Sequence, residues 1–223
     1  MPFVHLKNSH PPIRVGKIVC VGRNYAEHVR EMKAEIPTFP VLFLKPATAI
    51  IGDGDSVVLP PISNDLHHEV EMTVLIGTEG RDISRQEALS HVAGYGIGLD
   101  MTLRDVQDQA KKKGLPWTVA KGFDTSAPLS EFVPASTIAD LHSLEVHLRV
   151  NDELRQQGKT RDFIFPVDEL ISTISQFFTL EAGDIIFTGT PHGVSRVVPG
   201  DRLKAELRTS DGSLLTSLAV GIR

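Results

Sequence analysis

The sequence contains a single cysteine, Cys20, and it lacks long apolar runs and any excess of positive charge. One cysteine excludes a disulfide within the chain, which is typical of a protein from a reducing compartment. Cys20 stands in an apolar run without a neighbouring base, so we interpret it as a buried small side chain rather than a nucleophile. No run approaches the roughly 18 apolar residues that span a bilayer, and the N-terminus does not resemble a signal peptide. A cytoplasmic protein without a membrane partner is the expectation.

The composition is that of an ordinary globular protein. The chain has 223 residues and a net charge of −5, with 41% hydrophobic and 23% charged residues. This balance gives no electrostatic reason to expect nucleic-acid binding. The one basic run, 111–113, is followed by Gly114 and predicts the solvated C-terminal end of a helix. Repeats and flexible linkers are absent from the sequence, so we predict an N-terminal arm over residues 1–16 and a single domain over 17–223.

The order of apolar segments predicts the fold class. Short strands outnumber helices and follow no regular alternation, which indicates an α+β fold with a mixed sheet rather than a doubly wound one. Asn24 is predicted to cap a helix over 25–32. Ser84 and Glu87 match a capping box, which predicts a helix that runs to about residue 92.

Two carboxylates two residues apart, Glu69 and Glu71, predict a metal site. Residues i and i+2 of a strand point to the same face, so both side chains project together. Asp100 ends a predicted strand over 93–101 and joins them if the two strands are neighbours. Three bare carboxylates inside a sheet need a cation, and hard oxygen ligands favour Mg²⁺, Mn²⁺ or Ca²⁺ over Zn²⁺. The alternative is that Glu69 and Glu71 form the solvated face of an edge strand.

Alternating glycines at positions 94, 96 and 98 occupy the same predicted strand as Asp100. Glycine is normally weak in a strand because it offers no side chain to pack. The alternation therefore indicates close packing, or a close approach of another backbone, on the glycine face.

Three further groups carry candidate chemistry. His28 and Glu31 are three residues apart on a predicted helix, where a carboxylate can fix the imidazole tautomer and raise its basicity. An ordinary surface pair is the alternative. Lys121 is either a buried lysine beside an anion or a loop lysine. The segment 188–193 follows a strand and is rich in small residues, so its backbone can approach a ligand carboxylate, although it lacks the lysine and length of a nucleotide-binding loop.

Taken together, ten segments resemble the fumarylacetoacetate hydrolase family, and most closely its short, single-domain acylpyruvase and oxaloacetate-acting members. They follow one another in order over most of the chain, which makes a chance match improbable. The segments are 21–25, 43–46, 67–71, 94–96, 99–100, 102–107, 114–117, 120–121, 123–124 and 188–191.

The resemblance implies a mixed β-roll of the family's C-terminal-domain type, with a Mg²⁺ or Mn²⁺ ion in a cleft at its core. It also implies a homodimer and an acid/base pair on a segment that closes as a lid. The implied metal ligands are Glu69, Glu71 and Asp100. The implied catalytic residues are His28, Glu31 and Lys121. The implied substrate contacts are Arg23, Lys45, Arg104, Gln107, Gly189 and Thr190.

These residues predict an enzyme that acts on small 2-oxo acids through a metal-bound pyruvate enolate. A divalent metal with three carboxylates leaves one negative charge, which Lys121, Arg104 or Lys45 would offset. Hydrolytic cleavage of 3-acylpyruvates to pyruvate and a carboxylic acid is the first expectation, with the His28–Glu31 pair activating water. Tautomerisation or decarboxylation of oxaloacetate is the alternative, because it uses the same enolate. A non-catalytic metal- or ligand-binding protein is the third hypothesis.

Overall fold

A computed structural model describes residues 2–9 and 11–223, so Met1 and His10 of the predicted arm lie outside the described residues. The described chain mixes short strands with a few helices, which confirms the predicted α+β class. The helices are α1 (Ala26–Glu31), α2 (Arg104–Lys113), α3 (Thr118–Lys121) and α4 (Val167–Phe177). The strands are β1 (Phe3–Val4), β2 (Ile13–Arg14), β3 (Ile18–Gly22), β4 (Val41–Lys45), β5 (Ile50–Ile51), β6 (Ser56–Val57), β7 (Leu66–His68), β8 (Val70–Ile76), β9 (Val92–Leu99), β10 (Thr102–Leu103), β11 (Ala127–Pro128), β12 (Val133–Pro134), β13 (Glu145–Val150), β14 (Glu153–Lys159), β15 (Ile185–Phe187), β16 (Ser195–Val197), β17 (Arg202–Arg208) and β18 (Leu214–Ile222).

The larger sheet is mixed, and within the described residues its strand order is β12–β9–β8–β15–β3–β4. Its neighbouring strands are antiparallel except for β15 and β3, which run parallel. Strand β8 is buried along its whole length. Alternation places Val70, Met72 and Val74 on one face, and Glu71 and Thr73 on the other. The Glu71 side chain therefore projects from the second face of the larger sheet.

A second sheet has the order β14–β13–β17–β18–β6 and covers the first face of the larger sheet. Leu148 of β13, Leu203 of β17 and Leu218 of β18 belong to the same buried cluster as Val74 and Ile97 of the larger sheet. Helix α4 adds its apolar stripe to this cluster. The opposite face carries a smaller buried cluster, which includes Cys20, Leu75 and Phe187, and the Glu71 side chain projects from this same face.

The alternating glycines of β9 lie on that opposite face, and they confirm the predicted close packing. A Cβ added to Gly96 would lie 2.9 Å from Thr73 Oγ1. A Cβ added to Gly98 would lie 2.8 Å from the Phe187 ring. Any larger residue would push β9 away from its neighbours. The glycines therefore allow β9 to pack closely against Thr73 and Phe187.

Two local predictions near the helices were wrong. Helix α1 begins after Tyr25, and the Asn24 side chain instead bonds to the backbones of Phe165 and Thr188, so it joins two distant segments rather than capping α1. The Ser84 hydroxyl donates to Glu87 Oε2 over 2.8 Å, and only a 3-10 helix, Ala88–His91, follows. In a capping box, the serine oxygen would accept from a backbone amide instead.

The N-terminal segment packs on the core through Val4 and Val15, which are both buried. Its strands β1 and β2 pair with each other, and Leu6 forms a bridge with Phe132. The division into an arm and one domain stays a prediction. Among the described residues, no helix has the length and apolar character needed to cross a membrane.

Candidate active site

Strands β8 and β9 bring the three predicted acidic residues together. Glu71 lies opposite Gly98 in the antiparallel register, and Glu69 stands at the junction of β7 and β8. The Asp100 amide donates to the Glu69 carbonyl over 2.8 Å, which ties the end of β9 to that junction. Carboxylate oxygens of Glu69, Glu71 and Asp100 all lie within 4.8 Å of one another, and all three residues are buried. We call these three residues the acidic cluster.

Three cations contact the acidic cluster. Lys121 Nζ lies 2.7 Å from Glu69 Oε2 and 2.5 Å from Asp100 Oδ2. The Arg104 guanidinium contacts Glu69, and Lys45 Nζ lies 2.8 Å from Asp100 Oδ1. Burial opposes the charge on Glu69, but Lys121 and Arg104 outweigh it and hold its pKa well below its usual range. Burial also opposes the charge on Lys121, yet Asp100 and Glu69 raise its pKa.

Glu71 is the member of the acidic cluster that lacks a cationic partner in the described part of the chain. Its Oε2 accepts the Gly189 amide over 2.6 Å. Burial, together with the charges of Asp100 and Glu69, raises the pKa of Glu71 well above its usual range. An ionised Glu71 therefore calls for one more positive group at this point. Three converging buried carboxylates, of which Glu71 has no cation in contact among the described residues, fit a hard divalent cation.

The loop that follows β15 approaches the acidic cluster through its backbone, as its small residues predict. Gly189 has φ +96°, and a Cβ there would lie 2.6 Å from Asn24 Cβ. Glycine is required because the left-handed region and the close contact both exclude a side chain. The loop thereby presents its amide to Glu71.

His28 and Glu31 form a contact on α1. His28 Nδ1 lies 3.1 Å from Glu31 Oε2, and the Gly193 amide donates to Glu31 Oε1 over 3.1 Å. A carboxylate at Nδ1 favours the tautomer that carries its proton there, which leaves Nε2 as the basic atom. His28 is buried and lines the cleft, whereas Glu31 is exposed, so the imidazole half of the pair differs from an ordinary surface pair.

A cleft of about 630 Å³ is lined by the acidic cluster, by His28 and by four of the six predicted substrate contacts. Arg104, Gln107 and Thr190 line it, and the Arg104 guanidinium donates to Gln107 Oε1 over 2.7 Å. Arg23 also lines the cleft and has φ +61°, a left-handed conformation that is unusual for a residue with a side chain. These residues lie where a substrate in the cleft would meet them.

Lys45 lies behind the acidic cluster and does not line the cleft. Its ammonium contacts the carbonyl of Lys121, Ser126 Oγ at 3.1 Å and the carbonyl of Met101 at 3.3 Å, in addition to Asp100. These protein partners surround the ammonium, and Lys45 is 1% exposed. The predicted substrate contact at Lys45 stays a prediction, whereas its observed contacts fix Asp100 and the end of α3.

Lys111 is a lining residue that the sequence analysis missed. We interpreted the run 111–113 as a solvated helix end, but Lys111 is half-buried and its ammonium lies 5.6 Å from the centre of the Trp117 ring. A signal was available, because Arg104, Gln107 and Lys111 follow the i, i+3, i+7 spacing of one helix face. The cleft therefore receives a further cation.

A second groove of about 730 Å³ runs along β4 and the connection between α2 and α3. It is larger than the cleft, but the described residues that line it include no carboxylate and no imidazole. Its lining offers neither metal ligands nor a base. The chemistry therefore belongs to the cleft.

Comparison with known proteins agrees with this geometry. The family described as fumarylacetoacetate (FAA) hydrolase C-terminal matches residues 17–219. The chain belongs to the fumarylacetoacetate hydrolase family, as the resemblance of its segments indicated.

Two curated relatives cover most of the chain. The mitochondrial oxaloacetate tautomerase of Bos taurus is 54% identical over 188 residues, which are 84% of this chain and 85% of that protein. The mitochondrial oxaloacetate decarboxylase of Dictyostelium discoideum is 47% identical over 196 residues, which are 87% of this chain and 90% of that protein.

Among solved structures, fumarylpyruvate hydrolase from Pseudomonas aeruginosa in complex with Mn²⁺ and pyruvate superposes with a TM-score of 0.92. It is 37% identical, and the match covers 99% of this chain and 94% of that one. The predicted fold of the family is therefore confirmed over nearly the whole length.

Replacing Lys121 with methionine is expected to lower the free energy of unfolding of the metal-free protein by about 3–5 kcal/mol, because the loss of one partner leaves buried charges uncompensated. Glu69 and Asp100 both lose their contact with the ammonium. Denaturant unfolding measures the change. The control is Lys112→Met on the exposed face of α2, where a change within about 0.5 kcal/mol is expected. Equal stabilities of the two variants would contradict the ion pairs.

Proposed function

We propose that this protein is a divalent-metal-dependent oxaloacetate tautomerase, which interconverts the enol and keto forms of that 2-oxo diacid. The charge of the site carries the proposal. The acidic cluster has three negative charges, and Lys45, Arg104 and Lys121 supply three positive ones that contact it. A divalent cation added to these six groups would leave two positive charges in excess, which suits a dianionic 2-oxo acid such as oxaloacetate better than a monoanion such as acetylpyruvate.

Glu69, Glu71 and Asp100 would hold the metal, for which we propose Mg²⁺ first and Mn²⁺ second. When bound, such an ion supplies Lewis-acid stabilisation of the negative charge that develops on a substrate oxygen. The Mn²⁺ and pyruvate in the Pseudomonas aeruginosa hydrolase support both the metal class and the substrate class.

The proton chemistry falls to the residues that face the cleft. Oxaloacetate in its keto form loses a proton from C3 to His28 Nε2, and the imidazolium returns this proton to the 2-oxygen of the enolate to give the enol. The reverse path regenerates the keto form and the neutral imidazole. Glu31 holds the imidazole tautomer through its contact with Nδ1. Arg104 and Lys121 offset the charge of the enolate, and Thr190, which also lines the cleft, donates a hydrogen bond to it.

Hydrolysis of 3-acylpyruvates is the second candidate. The same His28–Glu31 pair could deprotonate a water molecule that attacks the distal carbonyl carbon, whereupon the carbon–carbon bond breaks and the pyruvate enolate leaves and is protonated at carbon. The observation that favours it is the buried imidazole with a free Nε2, which suits water activation as well as proton transfer. The names of the two curated relatives favour oxaloacetate as the substrate.

Product analysis tests the proposal. Purified protein with Mg²⁺ is mixed in parallel with enol-oxaloacetate and acetylpyruvate, and an enzyme-free sample with the same metal corrects for spontaneous reactions. We expect rapid loss of the enol absorbance without release of CO₂ or pyruvate. Release of pyruvate and acetate from acetylpyruvate at a higher kcat/KM would establish the hydrolase instead. Release of pyruvate and CO₂ from oxaloacetate would establish a decarboxylase.

The homodimer and the cytoplasmic location stay predictions. Sedimentation of the purified protein measures its oligomeric state. The two curated relatives are described as mitochondrial, so a fluorescent fusion in the source cell is the direct measure of location.

A further inference from the structure

Gln156 is a buried amide in a strand whose other side chains are mostly exposed. Strand β14 forms the outer edge of the second sheet, and its residues on either side of Gln156, Arg155 and Gln157, are exposed. Gln156 itself is 1% exposed. A neutral polar side chain is seldom buried without a full set of hydrogen bonds, so its partners indicate what it holds.

Every hydrogen-bonding position of the Gln156 amide is filled. Its Oε1 accepts from the Val70 amide over 3.0 Å and contacts His68 Nδ1 at 2.9 Å. Its Nε2 donates to Thr190 Oγ1 and to the Pro191 carbonyl, both over 2.9 Å. The Val70 amide can only donate, so it fixes which end of the side chain is the oxygen. The side-chain NH₂ group of Gln156 must therefore face Thr190.

This orientation determines the direction of the Thr190 hydroxyl. Because Thr190 Oγ1 accepts a hydrogen from Gln156, its own proton is free to point elsewhere. Thr190 lines the cleft beside the acidic cluster. A hydroxyl that donates into the cleft suits a carboxylate or enolate oxygen, whereas one that accepts would repel it.

The Gln156 side chain also fixes the loop after β15 relative to the acidic cluster and to Glu31. Val70 lies between Glu69 and Glu71 in the chain, so the Oε1 contacts tie Gln156 to the acidic cluster. The loop in turn donates the Gly189 amide to Glu71 and the Gly193 amide to Glu31. His68 extends the network, since its Nε2 lies 2.8 Å from Ser195 Oγ at the far end of the loop.

We propose that Gln156 is a positioning residue: it orients Thr190 as a hydrogen-bond donor into the cleft and holds the segment 189–193 in register with the acidic cluster and with Glu31. The part that concerns a substrate oxygen rests on the proposed function, and the part that concerns the loop does not. Gln156 touches neither the acidic cluster nor His28, so its effect passes through Thr190 and the loop.

The test compares Gln156→Met with Gln157→Met, its exposed neighbour on the same strand. Met has nearly the shape of Gln and removes the hydrogen bonds of the side-chain amide. Misplacement of a reacting group by about 1 Å costs roughly 100-fold, so we expect kcat/KM of Gln156→Met to fall by about that factor. The control variant should match the wild type. A fall in thermal stability with unchanged kcat/KM of the folded enzyme would overturn the proposal in favour of a merely structural role.

A double-mutant cycle with Thr190→Val tests the route. If Gln156 acts through Thr190, the loss caused by Gln156→Met should largely disappear in the Thr190→Val background, because the oriented hydroxyl is already absent. Losses that multiply independently would show that Gln156 does not act through Thr190, which would overturn that half of the proposal.

Amide hydrogen exchange of the metal-free protein gives a measurement that needs neither substrate nor turnover. Peptides that cover 189–193 should exchange faster in Gln156→Met than in Gln157→Met, while peptides from β17 remain unchanged. Unchanged exchange of the loop would overturn the positioning of the loop. If the wild type converts neither oxaloacetate nor acetylpyruvate, the proposed function fails, and hydrogen exchange still decides whether Gln156 holds the loop.

Discussion

Replacing Glu71 with glutamine is expected to abolish binding of a divalent metal and to lower turnover of enol-oxaloacetate by at least about 10³-fold, since Lewis-acid stabilisation is worth several kcal/mol. Glutamine keeps a side-chain oxygen for the Gly189 amide, which Glu71 now accepts over 2.6 Å, and removes only the charge. Calorimetric titration of the metal-free protein with Mn²⁺ measures binding, and the loss of enol absorbance measures turnover.

The same substitution should not destabilise the metal-free protein. Glu71 is buried beside Glu69 and Asp100, so loss of its charge relieves repulsion. A melting temperature equal to or above that of the wild type would exclude misfolding as the cause of inactivity. Glu206→Gln is the matched control, because Glu206 is a buried carboxylate that pairs with Lys204 and Arg208 outside the cleft. Wild-type Mn²⁺ affinity in Glu71→Gln would refute the metal assignment.

The acidic cluster was predictable because its geometry depends on local rules. The spacing of Glu69 and Glu71 predicts that both project to one side of the chain, and Asp100 directly follows β9, the strand that pairs with β8. The pairing of β8 with β9 is therefore enough to bring Glu69, Glu71 and Asp100 together. The junction at Glu69, where β7 ends and β8 begins, was not predicted, yet it preserves the direction of both side chains.

The partners of that cluster were harder to predict, because they depend on contacts between distant segments. Lys45 was expected at the substrate, but the fold surrounds its ammonium with groups from the segment 100–126. Gln156 was not singled out, and an isolated glutamine in a polar strand gives no signal. Its partners Val70 and Thr190 come from two other parts of the chain.

Capping predictions failed for a related reason. Asn24 is of a residue type that often caps helices, but its side-chain amide joins the backbones of Phe165 and Thr188, which are distant in the chain. A residue that competes well for nearby amides competes equally well for distant ones once the chain is folded. Local motifs built from such residues are therefore weaker predictors than the order of apolar segments, which correctly indicated the α+β class.

Replacing His28 with asparagine is expected to lower turnover by about 10²–10⁴-fold while metal binding survives, because a positioned base contributes that factor and the ring is not one of the acidic ligands. Asparagine retains a polar group near Glu31 but cannot take up a proton at neutral pH. Mn²⁺ titration and turnover are measured on the same preparation. His142→Asn, which replaces an exposed histidine outside the cleft, should retain full activity.

Turnover of oxaloacetate and of acetylpyruvate by His28→Asn separates the two roles proposed for the imidazole. If His28 is the shared base, tautomerisation and acylpyruvate hydrolysis should fall by similar factors, since each begins with proton transfer to Nε2. Loss of hydrolysis alone would assign His28 to water activation and place the proton carrier of tautomerisation elsewhere in the cleft. Unchanged rates for both substrates would remove His28 from the mechanism. Glu31→Gln should show a smaller loss than His28→Asn, because it weakens the support of Nδ1 and leaves the basic atom in place.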